Sequence, residues 1–185
     1  METTAAPIAP PRTVAEFEQW QRAYGDEGQY EFVRGQIIPK PAMKQNEVFV
    51  ALFLNRLFLT TQAHANGDAL LAELDAYVDE DRKRIPHLSY YPIELLRQMQ
   101  QDVRVAPPFA IEILSDSEKE NDIIEKIQDY FDAGVRLVWY IVPKFQKIYA
   151  YTSPDDIRVF RGEQVISAAP VLPDFQFAVA DLFRE

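Results

Sequence analysis

The chain has no cysteine and only two histidines, His64 and His87. The first absence excludes a disulfide framework, thiolate catalysis and zinc–thiolate sites. The second excludes a multi-histidine metal centre. Glycine is scarce: six residues, so scattered that neither a G-x-G-x-x-G turn nor a P-loop can be assembled. Enzymes that hold nucleotides on those loops are therefore not expected. The longest apolar stretch, Val48 to Leu54, falls far short of the roughly 18 residues that suggest a membrane span. The opening METTAAPIAPPR has neither the basic start nor the apolar centre of a signal peptide, and a cytoplasmic protein without a membrane partner is expected. Positive charge is in deficit, with a net charge of −10. That argues against a non-specific nucleic-acid coat protein. It leaves room for an enzyme acting on nucleic acid, because a carboxylate-lined site is itself acidic and one small basic patch can steer a substrate. The length of 185 residues suits one domain with a real core. We expect a disordered Pro- and Ala-rich arm over 1–12 and a single domain over 13–185.

What is present is concentrated between Phe109 and Pro143, FAIEILSDSEKENDIIEKIQDYFDAGVRLVWYIVP. Phe109 to Leu114 reads as a strand, with Ala110, Glu112 and Leu114 on one face. Ser117 and Glu120 spell a capping box that opens a helix. Ile123, Ile127, Tyr130 and Phe131 form its apolar stripe, and Gly134 its stop. Leu137 to Val142 is a second apolar run. Strand, helix and strand with short links make a βαβ unit with parallel strands and a right-handed crossover. Two charges fit a plain core unit badly. Glu112 lies mid-strand, where a buried carboxylate is costly unless it is paired or metal-bound. Lys126 lies at the edge of the stripe, from where its stem can deliver the ammonium to the sheet. The residues alone leave two readings open: a shared site, or an ordinary structural ion pair or solvated lysine.

The rest of the chain is read around that unit. Thr13 and Glu16 cap a helix that runs to about Tyr24, and YEFVRGQII (30–38) is a hairpin closed by Pro39 and Pro41. Glu47 to about Thr61 is a helix that is apolar nearly all round, packed on the sheet with spare surface for a possible homodimer. His64 falls in the following loop as a surface residue. Ala69 to Val78 and Arg84 to Tyr91 read as two strands, with Arg82-Lys83-Arg84 at a solvated turn. A short helix over 92–100 follows. After Pro143 come short strands, a second hairpin and an apolar tail that packs down. The fold class expected is α+β with an α/β core: a mixed sheet flanked by helices around the central βαβ unit.

The string EILSDSEKENDIIEKIQDYFDAGVRLVWYIVP resembles the signature of a large bacterial restriction-endonuclease-like family in the PD-(D/E)XK nuclease superfamily. Its pattern falls on Glu112, Leu114 and Ser115, then Asp122, Lys126 and Tyr130, then Ala133-Gly134-Val135 and Trp139. YEFVRGQIIP, with Glu31 and Gly35, and the tail VLPDFQFAVADLF resemble the flanking segments, so the resemblance runs from about residue 13 to 183. It implies a restriction-endonuclease-like fold and metal-dependent hydrolysis of phosphodiesters in DNA. It also implies Glu112 as a catalytic metal ligand, Lys126 as the superfamily's lysine moved onto the helix, and Glu31 as an accessory acid. A hard cation held by carboxylate oxygens activates water in such chemistry, and an ammonium offsets developing charge.

One departure stands out. Where the family carries Pro-Asp, this chain has Pro86-His87. Imidazole is a poor magnesium ligand. Three readings follow: an impaired or inactive site with weak or absent Mg2+; a Mn2+ site held by His87 and Glu112; or compensation by Asp75 or Glu73. The expected function is thus a metal-dependent DNA endonuclease, impaired by His87. The alternative is a nuclease-fold module that binds a partner or nucleic acid without cutting. His87→Asp would be expected to restore a second carboxylate, and activity with it.

Overall fold

The structure, a computed structural model, describes residues 10–25, 28–114 and 120–184. In chain order its elements are α1 (Val14–Tyr24), β1 (Gln29–Val33), β2 (Gln36–Lys40), α2 (Gln45–Phe58), α3 (Gln62–Ala65), β3 (Ala69–Ala72), β4 (Ala76–Tyr77), β5 (Arg82–Arg84) and β6 (Leu88–Tyr91). Then come α4 (Ile93–Met99), β7 (Phe109–Ile113), α5 (Glu120–Asp132), β8 (Leu137–Val142), β9 (Lys147–Ser153), β10 (Asp156–Arg161), β11 (Val165–Ala168), β12 (Leu172–Ala178) and α6 (Val179–Leu182). A six-stranded mixed sheet has the order β10-β9-β8-β7-β6-β3. A smaller antiparallel sheet has the order β2-β1-β5-β4, and β11 pairs with β12. The fold is α+β, with the mixed sheet flanked by helices. No helix among the described residues is long and apolar enough to cross a membrane.

At the centre, β7, α5 and β8 form the expected βαβ unit, paired in parallel from Phe109↔Leu137 to Ile113↔Ile141. Alternation sorts its side chains. Phe109, Ile111 and Ile113 join Trp139, Ile141, Leu54 and Phe58 of α2, and Phe175 and Phe177 of β12 in the main core. Ala110 faces the other way, with Val138 and Tyr140, against Ile127 and Tyr130 of α5. Glu112 shares the face of Ala110 and so lies beneath α5. Every residue of β8 is buried, as expected of a strand covered on both faces. Gly134 ends α5 with φ +87°, a left-handed conformation that a Cβ would strain. The expected capping box at Ser117, and residues 1–9 of the arm expected over 1–12, lie outside the described residues; Pro11, of the same arm, is buried.

The two strands expected over 69–78 and 84–91 are one antiparallel ribbon bent into two sheets. Ala72 faces Leu88 in the large sheet and Ala76 faces Arg84 in the small one, so the register runs on across the break. At the break Glu73 takes φ +50°, and its N–H donates to the His87 carbonyl at 3.2 Å. Pro86 removes a ladder donor on the opposite side. His87 therefore lies at the corner between the sheets.

The sequence places Arg82-Lys83-Arg84 at a solvated turn; the structure makes it β5, with Lys83 and Arg84 buried. Burial of these cations is possible because carboxylates meet them: Asp75 lies 2.9 Å from Lys83 Nζ, and Glu31 and Asp129 flank Arg84. Pro39, expected to end its strand, lies within edge strand β2, where a missing donor is tolerated. His64, expected in a loop, belongs to α3, exposed and edge-on to Phe58. The α2 helix buries Val50, Ala51, Leu54 and Phe58, while Val48, Phe49 and Leu52 remain exposed.

Candidate active site

Five elements and the ribbon corner deliver charged groups to one place under α5. Glu112 comes from β7, Glu31 from β1, Lys40 from the end of β2, Arg84 from the end of β5, and His87 from the corner. From α5 come Lys126, Asp129 and Tyr130, which share a helix face at i, i+3 and i+4. Glu112 is wholly buried. Its Oε1 accepts the Tyr130 hydroxyl at 2.5 Å and lies 3.5 Å from Lys126 Nζ. Its Oε2 meets His87 Nδ1 in a short hydrogen bond and lies 3.9 Å from Lys40 Nζ. Lys126 Nζ is also 3.3 Å from Glu31 Oε1, which accepts the Ile85 N–H at 3.1 Å. Arg84 bridges Glu31 Oε2 at 3.0 Å and Asp129 Oδ2 at 2.6 Å.

The result is a buried chain of alternating charge: Asp129, Arg84, Glu31, Lys126, Glu112, Lys40. Burial by itself would raise the Glu112 carboxyl, but Lys126, Lys40 and His87 together outweigh it and hold Glu112 well below the ordinary carboxylate range. Burial pushes the Tyr130 phenol well above its ordinary value, and Glu112 and Glu31 push it further. Tyr130 is therefore a donor and Glu112 an acceptor. His87 Nδ1 faces the Glu112 carboxylate, and the Lys40 ammonium stands against the imidazole ring, 3.3 Å from Nδ1 and 3.4 Å from Nε2. A cavity of about 290 Å³ opens over this cluster, lined by Lys40, Arg84, His87 and Lys126, with Glu47 and Asp122 on its wall and rim. Glu47 is buried in the first turn of α2. Its Oε2 accepts the Lys44 N–H at 2.7 Å, and its Oε1 has no partner among the described residues.

The structure thus brings Glu112, His87, Lys126 and Glu31 into one cluster. Asp75 is engaged by Lys83, and neither Asp75 nor Glu73 lines the cavity. Lys40, Arg84, Asp129 and Glu47 are not among the site residues read from the sequence. Asp129 had a signal, since it repeats Lys126 three residues on. Lys40, between two prolines at a strand end, reads as a solvated residue and gives none.

Residues 14–180 match the profile of a family described as "Uma2: Putative restriction endonuclease". The chain belongs to the Uma2 family. A crystal structure described as that of "a putative nuclease belonging to DUF820", from Anabaena variabilis, superposes with a TM-score of 0.77 at 20% identity, covering 94% of this chain and 98% of that one. That likeness shows the nuclease-like fold. No curated protein matches the chain.

The Uma2 resemblance implies a divalent metal, and the donor set here does not fit one. Among the described residues no group of three or more acidic or histidine side chains is placed to hold a metal ion. Both Glu112 oxygens are already occupied by donors and cations, and His87 Nδ1 is taken up by Glu112. A hard cation needs several oxygen ligands free to face it.

Proposed function

We propose that this Uma2 protein engages the phosphodiester backbone of DNA through the cavity over Glu112, and that its hydrolytic site is held closed by its own ion pairs. In this reading Glu112, Lys126 and Glu31 take the catalytic positions of the family pattern. His87, in place of an aspartate, turns a position meant for Mg2+ or Mn2+ into a hydrogen-bonded pair. One observation carries the reading: each Glu112 oxygen faces two donors or cations, Tyr130 and Lys126 at one and His87 and Lys40 at the other. Phosphate oxygens entering the cavity can be met by the Lys126 ammonium on its wall. The exposed row of Val48, Phe49 and Leu52 on α2 we assign to contact with a second copy of the chain.

The test pairs binding with cutting. Anisotropy of labelled duplex and single-stranded oligonucleotides in EDTA should show binding that weakens with salt and with Lys126→Ala. Plasmid incubated with wild type and Mg2+ or Mn2+ should stay intact. Metal-dependent cutting by wild type that is lost in Glu112→Gln would overturn the closed-site reading.

A further inference from the structure

Lys40 is an unusual residue to find where it is. Its side chain is only 5% exposed, although β2 ends at the cavity mouth and a lysine stem there could carry its ammonium to water. Instead the ammonium turns inward. It lies 3.3 Å and 3.4 Å from the two ring nitrogens of His87 and 3.9 Å from Glu112 Oε2. It comes from the small sheet, while Glu112 comes from the large one.

We infer that the Lys40 ammonium is the site's built-in cation, seated against His87 and Glu112 where a divalent ion would otherwise bind. Three observations carry this. Among the described residues Glu112 is the one carboxylate paired with Lys40, and no second acid there explains its burial. The Lys40 ammonium stands against the His87 ring, nearly equidistant from its two nitrogens, in the space that an ion reaching for that ring and Glu112 would enter. The neighbouring acids are already matched, Glu31 by Arg84 and Lys126, and Asp129 by Arg84 and Arg82. A divalent ion entering beside Lys40 would meet a buried positive charge a few ångströms away, with Glu112, Glu31 and Asp129 already matched by cations. His87 and Lys40 therefore act together. A carboxylate at position 87 alone would gain Lys40 as a salt-bridge partner and be spent on it. The site becomes a metal site only when position 40 is neutral and position 87 is anionic at once.

The inference does not require DNA to be the ligand, and its readout is metal binding rather than cutting, so its failure and that of the proposed function can be told apart. Mn2+ is titrated by electron paramagnetic resonance and by calorimetry into wild type, His87→Asp, Lys40→Met, and the double variant His87→Asp/Lys40→Met. Thermal melts with and without Mn2+ show that each variant is folded. Lys40→Gln replaces Lys40→Met if the thioether chain disturbs packing. Wild type and both single variants should show no saturable site, or one weaker by about 10- to 100-fold than that of the double variant, the range expected when groups around a metal site are lost. Adding Glu112→Gln to the double variant should remove the site. Three results would overturn the inference: a Glu112-dependent wild-type Mn2+ site as tight as that of the double variant; His87→Asp alone binding as tightly as the double variant; or a folded double variant that binds no Mn2+.

Discussion

Tyr130 gives its hydroxyl hydrogen to Glu112 Oε1 at 2.5 Å, and both residues are completely buried. A helix and the strand it covers are thereby joined through a polar contact, beside that of Lys126 with the same oxygen, next to an apolar layer of Ile127, Val138 and Tyr140. Tyr130→Phe keeps the ring and removes the donor. We expect a loss of about 1.5–3 kcal/mol, the range for a hydrogen bond to a charged group, read from urea denaturation at neutral pH. The contact should also have an alkaline signature. The folded state holds the Tyr130 proton more tightly than the unfolded chain does. Its stabilisation is thus fully present below the unfolded phenol value of about 10 and is lost as pH rises beyond it. The stability difference between wild type and Tyr130→Phe should shrink in that window. A difference that stays constant would show that the hydroxyl is not held as described.

Arg84 offers a second test. It is buried between Glu31 and Asp129, and Arg84→Met would leave those carboxylates short of their cation. We expect destabilisation of about 3–5 kcal/mol, as when one partner of a buried ion pair is removed. Arg34 also approaches Asp129, at 3.6 Å, but is 54% exposed. Arg34→Gln should cost no more than about 1 kcal/mol. Equal shifts in urea midpoint for the two variants would show that burial does not govern this network.

The α2 surface yields a third. Phe49 is 61% exposed and Val48 and Leu52 stand beside it. Sedimentation equilibrium should find wild type dimeric at micromolar concentration and Phe49→Glu monomeric, with unchanged circular dichroism. A monomeric wild type would remove the assignment of this row to a second copy.

Much of this architecture is legible in the sequence because the βαβ unit is written in local terms. Alternation in β7, the stripe of α5 and Gly134 need no distant partner to be read. Glu112 and Lys126 are legible for the same reason: each is a charge at a position where local pattern calls for an apolar residue. The ribbon is half legible. Its alternation and register are visible, but the bend depends on a left-handed Glu73 and on a second sheet to receive β4 and β5. Lys83 and Arg84 look solvated because their counter-charges lie far off in sequence, at Asp75, Glu31 and Asp129. Lys40 is hidden most completely. Nothing near Ile38-Pro39-Lys40-Pro41 signals burial, and its two neighbours in space arrive from the corner and from β7. This is also why restoring aspartate at position 87 looks sufficient from the sequence and does not from the structure.

The bent ribbon has a mechanical consequence. Because the hydrogen-bonded ladder changes sheets without losing register, the two sheets share a single crank, and His87 sits on its elbow. Residues 73–75 and 85–87 carry the ladder from one sheet to the other. The His87 ring meets Glu112 of the large sheet there, and Lys40 and Glu31 come to it from the small one. The spacing of the charge cluster is therefore tied to how the two sheets meet at that elbow.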